Sequence, residues 1–81
     1  MQNKAIASHP YKVRSKTISD RELSVLNLIA EGHSSAEIAA ILFLSHETIS
    51  SHRKNMMKKL AVSNTASLIT MSFRTGLLTL Y

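Results

Sequence analysis

Residues 45–60, SHETISSHRKNMMKKL, gather most of the side chains in this chain that could do chemistry. The stretch holds His46 and His52, the cations Arg53, Lys54, Lys58 and Lys59, and the hydroxyls of Ser45, Thr48, Ser50 and Ser51. Two histidines bind a metal only if both rings reach one point. On a helix His46 and His52 would stand about 9 Å apart along the axis and roughly 120° apart around it, so they cannot share an ion. His9 and His33 lie far off in sequence, no HExxH occurs, and the absence of cysteine removes every Cys/His zinc spacing. No metal and no other cofactor is therefore expected. Catalysis fares no better. The chain has no nucleophile elbow, no glycine-rich phosphate loop and no convincing acid–base pair, and 81 residues cannot build a pocket-sized core. An enzyme is not expected, and the cations remain to be explained.

Their distribution is uneven. The formal charge is +5, and all 5 acids fall between Asp20 and Glu47. From Thr48 to Tyr81 no acid opposes Arg53, Lys54, Lys58, Lys59 and Arg74. In residues 1–17 none opposes Lys4, Lys12, Arg14 and Lys16. A polyanion is the natural partner of such a surface, nucleic acid above all, although a plain basic protein would share the charge. Membranes are not expected as partners. The longest apolar run, Ile38 to Leu44, is far short of the roughly 20 residues of a membrane helix. The start, MQNKAIASHPYKVRSK, lacks the apolar core of a secretory signal. With no cysteine to oxidise, a cytoplasmic location is the expectation.

The elements that must position these side chains are marked by their ends. Gly32 and Gly76 are the only glycines and Pro10 the only proline, which favours helices throughout. Ser19 with Glu22 forms a capping-box pattern, so a first helix is predicted from Asp20 to Glu31, closed by Gly32. Leu26, Ile29 and Ala30 are predicted as its inner stripe, flanked by Leu23 and Val25. Ser34 with Glu37 repeats the device for a short helix from Ser35 to Leu42, with Ile38, Ala39 and Leu42 inward. A tight turn then leads to Ser45, which caps a third helix running to Leu60. Ser63 or Asn64 caps a fourth from Thr65 to Thr75, ended by Gly76. Residues 1–17 show no periodicity and read as a flexible basic arm or an interdomain linker, leaving 18–81 as the single domain. The fold class expected is all-α with four helices.

A short helix, a tight turn and a longer helix is the arrangement whose second member enters a major groove. Around the third helix Ile49, Met56 and Leu60 cluster within about 40° and form its core stripe, flanked by His52 and Arg53. Opposite lie Glu47, Ser51, Lys54 and Lys58, with Ser50 and Asn55 on the shoulders. Small side chains come first and long cations later, which suits bases at the helix start and phosphates further back. A solvated helix would mix Glu with Lys, and only Glu47 is acidic here. His52 is expected to pack at the edge of a neighbouring helix and bond a main-chain carbonyl, with a phosphate contact as the alternative.

These residues carry a resemblance. ISDREL-SVLNLIAEG at 18–32, SSAEIAAILFLS at 34–45, HETISSHRKNMMKKL at 46–60, Ala61–Val62 and Gly76–Leu77–Leu78 together resemble the LuxR/NarL/GerE type of bacterial helix-turn-helix domain over about three quarters of the chain. The resemblance implies a transcription regulator that binds double-stranded promoter DNA through the third helix and dimerises through the last. It implies base contacts from Ser50, Ser51 and Lys54, and backbone contacts from Thr48, His52, Arg53 and Lys58. A nucleoid-associated place in the cytoplasm and RNA polymerase as a further partner go with that role. The sequence departs from the family at three places. Ser50 stands where lysine is usual, Ser35–Ala36 where Asn-Lys is frequent, and Thr65 and Ser67 where Arg and Glu are frequent.

On the fourth helix only Ser67, Thr70 and Arg74 form a polar strip, and the apolar remainder is wider than one small core needs. A second copy covering Leu68, Met71 and Ser72 is the expectation; burial by the tail LLTLY is the other reading. Two competitors to the DNA-binding regulator stay open. One is a promoter-reading fragment of a sigma factor. The other is an interaction module that dimerises with, or antagonises, another regulator.

Overall fold

The computed structural model describes residues 18–79. The arm expected at 1–17 lies outside the described residues. The elements are α1 (Asp20–Ala30), α2 (Ser35–Leu42), α3 (His46–Lys59) and α4 (Thr65–Arg74), with no strand among the described residues. The four-helix, all-α architecture is the one expected.

Each helix starts on a polar cap, because the first turn leaves amides with no partner inside the helix. In α1 the Glu22 amide donates to Ser19 Oγ at 3.0 Å and the Ser19 amide donates to Glu22 Oε1 at 3.0 Å. In α2 the Glu37 amide donates to Ser34 Oγ at 3.1 Å and the Ser34 amide to Glu37 Oε1 at 2.9 Å. Ser45 caps α3 by accepting from the Thr48 amide at 3.0 Å, and Asn64 caps α4 by accepting from the Ser67 amide at 2.8 Å. Asn64, rather than Ser63, therefore takes that role.

The helix ends reverse through left-handed residues. Gly32 has φ +97° and Gly76 φ +85°, where a side chain would be strained. The turn between α2 and α3 has no glycine, so Phe43 itself adopts φ 57°. Its neighbour Leu44 donates back to the Ala39 carbonyl at 2.9 Å, which closes the short turn. The ring of Phe43 gains nothing for that strain inside the domain, being 93% exposed.

Val25, Leu26, Ile29, Ile38, Ala39, Ile49, Met56, Leu60, Leu68 and Leu78 form one core. The third helix packs against each of the other three and is the axle of the domain. Two details differ from expectation. Val25 is fully buried at the centre of the α1 face, while Ala30 is exposed. The buried α1 positions are 22, 25, 26 and 29, a helical stripe that begins on a carboxylate, Glu22, and so leaves Ala30 outside it.

That carboxylate is tied to α3. Lys59 Nζ stands 2.8 Å from Glu22 Oε1, with the Glu22 side chain 5% and the Lys59 side chain 30% exposed. Burial pushes the Glu22 carboxyl up. Hydrogen bonds from Lys59 and the Ser19 amide, with the charges of Lys59 and His52, outweigh it and hold the group below its ordinary value. A second polar tie joins α3 to α4, where Arg53 Nη2 donates to Thr65 Oγ1 at 2.7 Å. The orientation of α3 is thus fixed by apolar packing and by these polar ties to α1 and α4.

Candidate nucleic-acid interface

The side of α3 turned from the core is open. His46, Glu47, Ser51, Lys54, Asn55 and Lys58 are exposed, and Ser50 is half-buried on the shoulder. Helical spacing puts Glu47, Ser51, Lys54 and Lys58 along one outer line. The small side chains occupy the first half of the helix and the lysines the second. Of the residues expected to meet bases, Ser51 and Lys54 therefore lie fully on the free face and Ser50 at its margin.

The residues expected to meet the backbone divide. Lys58 is exposed in the last turn of α3. Arg53 is half-buried and spends one donor on Thr65, which leaves four of the five guanidinium donors for other acceptors. Thr48 is half-buried, and its hydroxyl stands 2.8 Å from Ser45 Oγ, so it completes the cap as well as standing at the helix start. His52 is half-buried and close enough to α1 for its charge to lower the Glu22 carboxyl. That is the boundary position expected of it, but among the described residues the ring does not form the expected hydrogen bond to a main-chain carbonyl.

The surroundings carry little competing anion. Glu22 is paired with Lys59. Glu31 and Glu37 face His33 at the α1–α2 corner, at 3.7 Å and 3.4 Å. The Ser34 amide, then His33, hold the Glu37 carboxyl below its ordinary value. Among the described residues no group of three or more His, Cys, Asp or Glu could hold a metal ion, and no helix is long and apolar enough to cross a membrane.

Of the three residues expected to meet a second copy, two lie inside the domain. Leu68 and Ser72 are completely buried in the domain's own core, and Ser72 Oγ donates to the Leu68 carbonyl at 2.7 Å. The tail folds back over them, with the Leu78 amide donating to the Ser72 carbonyl at 3.1 Å and Leu78 itself buried. Of the three only Met71 reaches the outside. It lines a shallow groove with Val62, Ala66, Ser67, Thr70 and Arg74. The two ties that hold α3, Glu22–Lys59 and Arg53–Thr65, were not foreseen from the sequence. The Glu22–Lys59 signal was present only as a carboxylate in phase with an apolar stripe.

Comparison with known proteins agrees with this fold. Residues 16–72 match the family GerE, bacterial regulatory proteins of the luxR family. The chain is 43% identical over 63 residues to YgeK, an uncharacterized response regulatory protein of Escherichia coli (strain K12), covering 78% of this chain and 43% of that protein. It is 38% identical over 77 residues to the oxygen regulatory protein NreC of Staphylococcus aureus (strain bovine RF122 / ET3-1), covering 95% of this chain and 34% of that protein. The match thus covers less than half of either relative. A crystal structure of the response regulator ChrA from a haem-sensing two-component system superposes with a TM-score of 0.74 at 32% identity, over 76% of this chain and 31% of that one. The chain belongs to the luxR family of bacterial regulatory proteins, a helix-turn-helix family of DNA-binding regulators rather than enzymes.

Proposed function

We propose that this domain regulates transcription by placing α3 in the major groove of promoter DNA. The observation that carries the reading is the outer line of α3, where a short exposed hydroxyl precedes two exposed lysines on a helix fixed to its neighbours by side chains on its other sides. Ser50, Ser51 and Lys54 face base edges in this arrangement. Lys58 and the unused donors of Arg53 meet phosphates on either side, with Thr48 and His52 at the margins of the contact. Short side chains let the helix backbone approach the bases, and the cations release counterions as they meet the phosphates.

The relatives are longer response regulators or regulatory proteins, so the role proposed is that of an output domain, or of a small regulator using the same module. A pair of such domains reads two half-sites about one helical turn apart. The open groove around Met71, Thr70 and Arg74 is the surface offered to the second copy, while Leu68 and Ser72 support it from within. RNA polymerase and a nucleoid-associated, cytoplasmic location follow from the same role.

The test is titration of labelled duplex across a salt series. Affinity falls linearly with salt on logarithmic axes. Lys58→Ala weakens binding to every sequence and reduces the slope by about one. Lys54→Ala lowers affinity and changes base preference. If neither variant alters binding, the face is assigned wrongly. If no duplex binds at low salt and a protein partner is recovered instead, the interaction-module reading replaces this one.

A further inference from the structure

The outer line of α3 carries one anion among its cations. Glu47 lies in the first turn and is exposed, in helical phase with Ser51, Lys54 and Lys58. Among the described residues no side chain or amide binds its carboxylate. The cap of α3 is made by Ser45 with the amide and hydroxyl of Thr48, so Glu47 takes no part in a capping box, unlike Glu22 and Glu37. Among the described residues its side chain forms no hydrogen bond or ion pair. The helix dipole favours an acid in the first turn, but that attraction does not depend on which face the acid occupies.

A carboxylate in a groove lined by phosphates is repelled unless it meets a donor. Ionised glutamate only accepts hydrogen bonds. In the major groove guanine offers the acceptors N7 and O6, and thymine the acceptor O4; adenine sets its N6 amine beside the acceptor N7. Cytosine alone presents its exocyclic N4 amine with no acceptor on the same base edge. Lys54 stands about 10 Å further along the axis and so serves a different base pair. We propose that Glu47 determines specificity by accepting a hydrogen bond from the N4 amine of a cytosine and by repelling the acceptors of guanine and thymine at that position. The proposal rests on α3 being the groove-reading helix, and it adds a rejecting element to the attractive contacts already assigned.

The experiment is selection from a random duplex pool at one stated salt, run in parallel with wild-type protein, Glu47→Ala and Glu47→Gln. Melting curves first confirm that all three are folded. Wild type enriches a motif with cytosine at one position of each half-site. Glu47→Ala loses that preference, with discrimination there falling about tenfold while other positions hold, and it binds unrelated duplex more tightly. Glu47→Gln moves the preference from cytosine to adenine, whose N6 and N7 suit an amide. If both variants return the wild-type motif and bind every duplex uniformly more tightly, Glu47 contributes charge alone and the proposal is overturned. Wild-type protein that binds no duplex overturns the groove-reading assignment, and this proposal with it.

Discussion

Replacing Glu22 by glutamine removes one charge from the joint between α1 and α3 and little else. Glutamine keeps an acceptor for the Ser19 amide, so the capping box survives. What is lost is the ion pair with Lys59 at 2.8 Å. Breaking a fully buried pair costs about 3–5 kcal/mol, and an exposed one about 0–1 kcal/mol. Here the carboxylate is 5% exposed and the ammonium 30%, so the lysine keeps part of its hydration when the carboxylate is replaced. A loss of about 2 kcal/mol at pH 7 follows from lying between those limits. For a domain this small it lowers the Tm by about 8–16 °C.

The pH dependence separates this from a packing effect. The Glu22 carboxyl is held below its ordinary value, so its contribution is fully present above the ordinary carboxylate range and is lost as pH falls through the lower, folded value. The gap between wild type and Glu22→Gln is therefore wide at pH 7 and narrows in the acid range. Glu37, also lowered, titrates in both proteins and cancels in the comparison. Thermal unfolding followed by circular dichroism from pH 7 to about pH 3 measures it. Equal stabilities at pH 7, or a gap that stays constant down to the acid end, would refute the role given to this pair.

Three further substitutions test separate parts of the fold. Met56 is fully buried on the core face of α3, and Met56→Ala costs about 2–5 kcal/mol in urea unfolding. Phe43→Gly relieves a left-handed residue whose ring is 93% exposed; it raises stability by roughly 0.5 kcal/mol once the entropy of glycine is deducted, seen as a higher urea midpoint at unchanged m-value. Thr65→Val removes the acceptor for Arg53 and lowers stability by about 1 kcal/mol, with the guanidinium partly rehydrated; a double-mutant cycle with Arg53→Ala shows the coupling.

The helix starts were legible because a cap is a local device. Ser19 with Glu22 and Ser34 with Glu37 announce themselves within four residues, and the glycines at 32 and 76 mark left-handed ends in the same way. The free face of α3 was legible for a related reason, since helical phase alone separates Ile49 and Met56 from Lys54 and Lys58. Contacts between elements were not. Lys59 meets Glu22 across 37 positions of sequence, and no local pattern pairs them. The helix containing Leu68 and Ser72 has a broad apolar surface, and phase alone cannot say which part the domain itself covers. The return of Leu78 over Ser72 decides it, and leaves Met71 half-buried at the rim of the core. The departures from family pattern at Ser50 and Thr65 read differently for the same reason. Thr65 turns out to accept from Arg53, a use visible only once α3 and α4 are packed.

The central claim is that the outer face of α3 meets duplex DNA, and amide chemical-shift mapping during titration with a short duplex at low salt tests it most directly. Even non-specific binding, at about 10⁻⁴–10⁻⁶ M, suffices for the readout. The account predicts shifts concentrated over residues 45–58, at Ser50, Ser51, Lys54 and Lys58 above all, with little change around Phe73 and Leu78. Shifts confined to the α1–α4 side, or no shift at millimolar duplex, would contradict it.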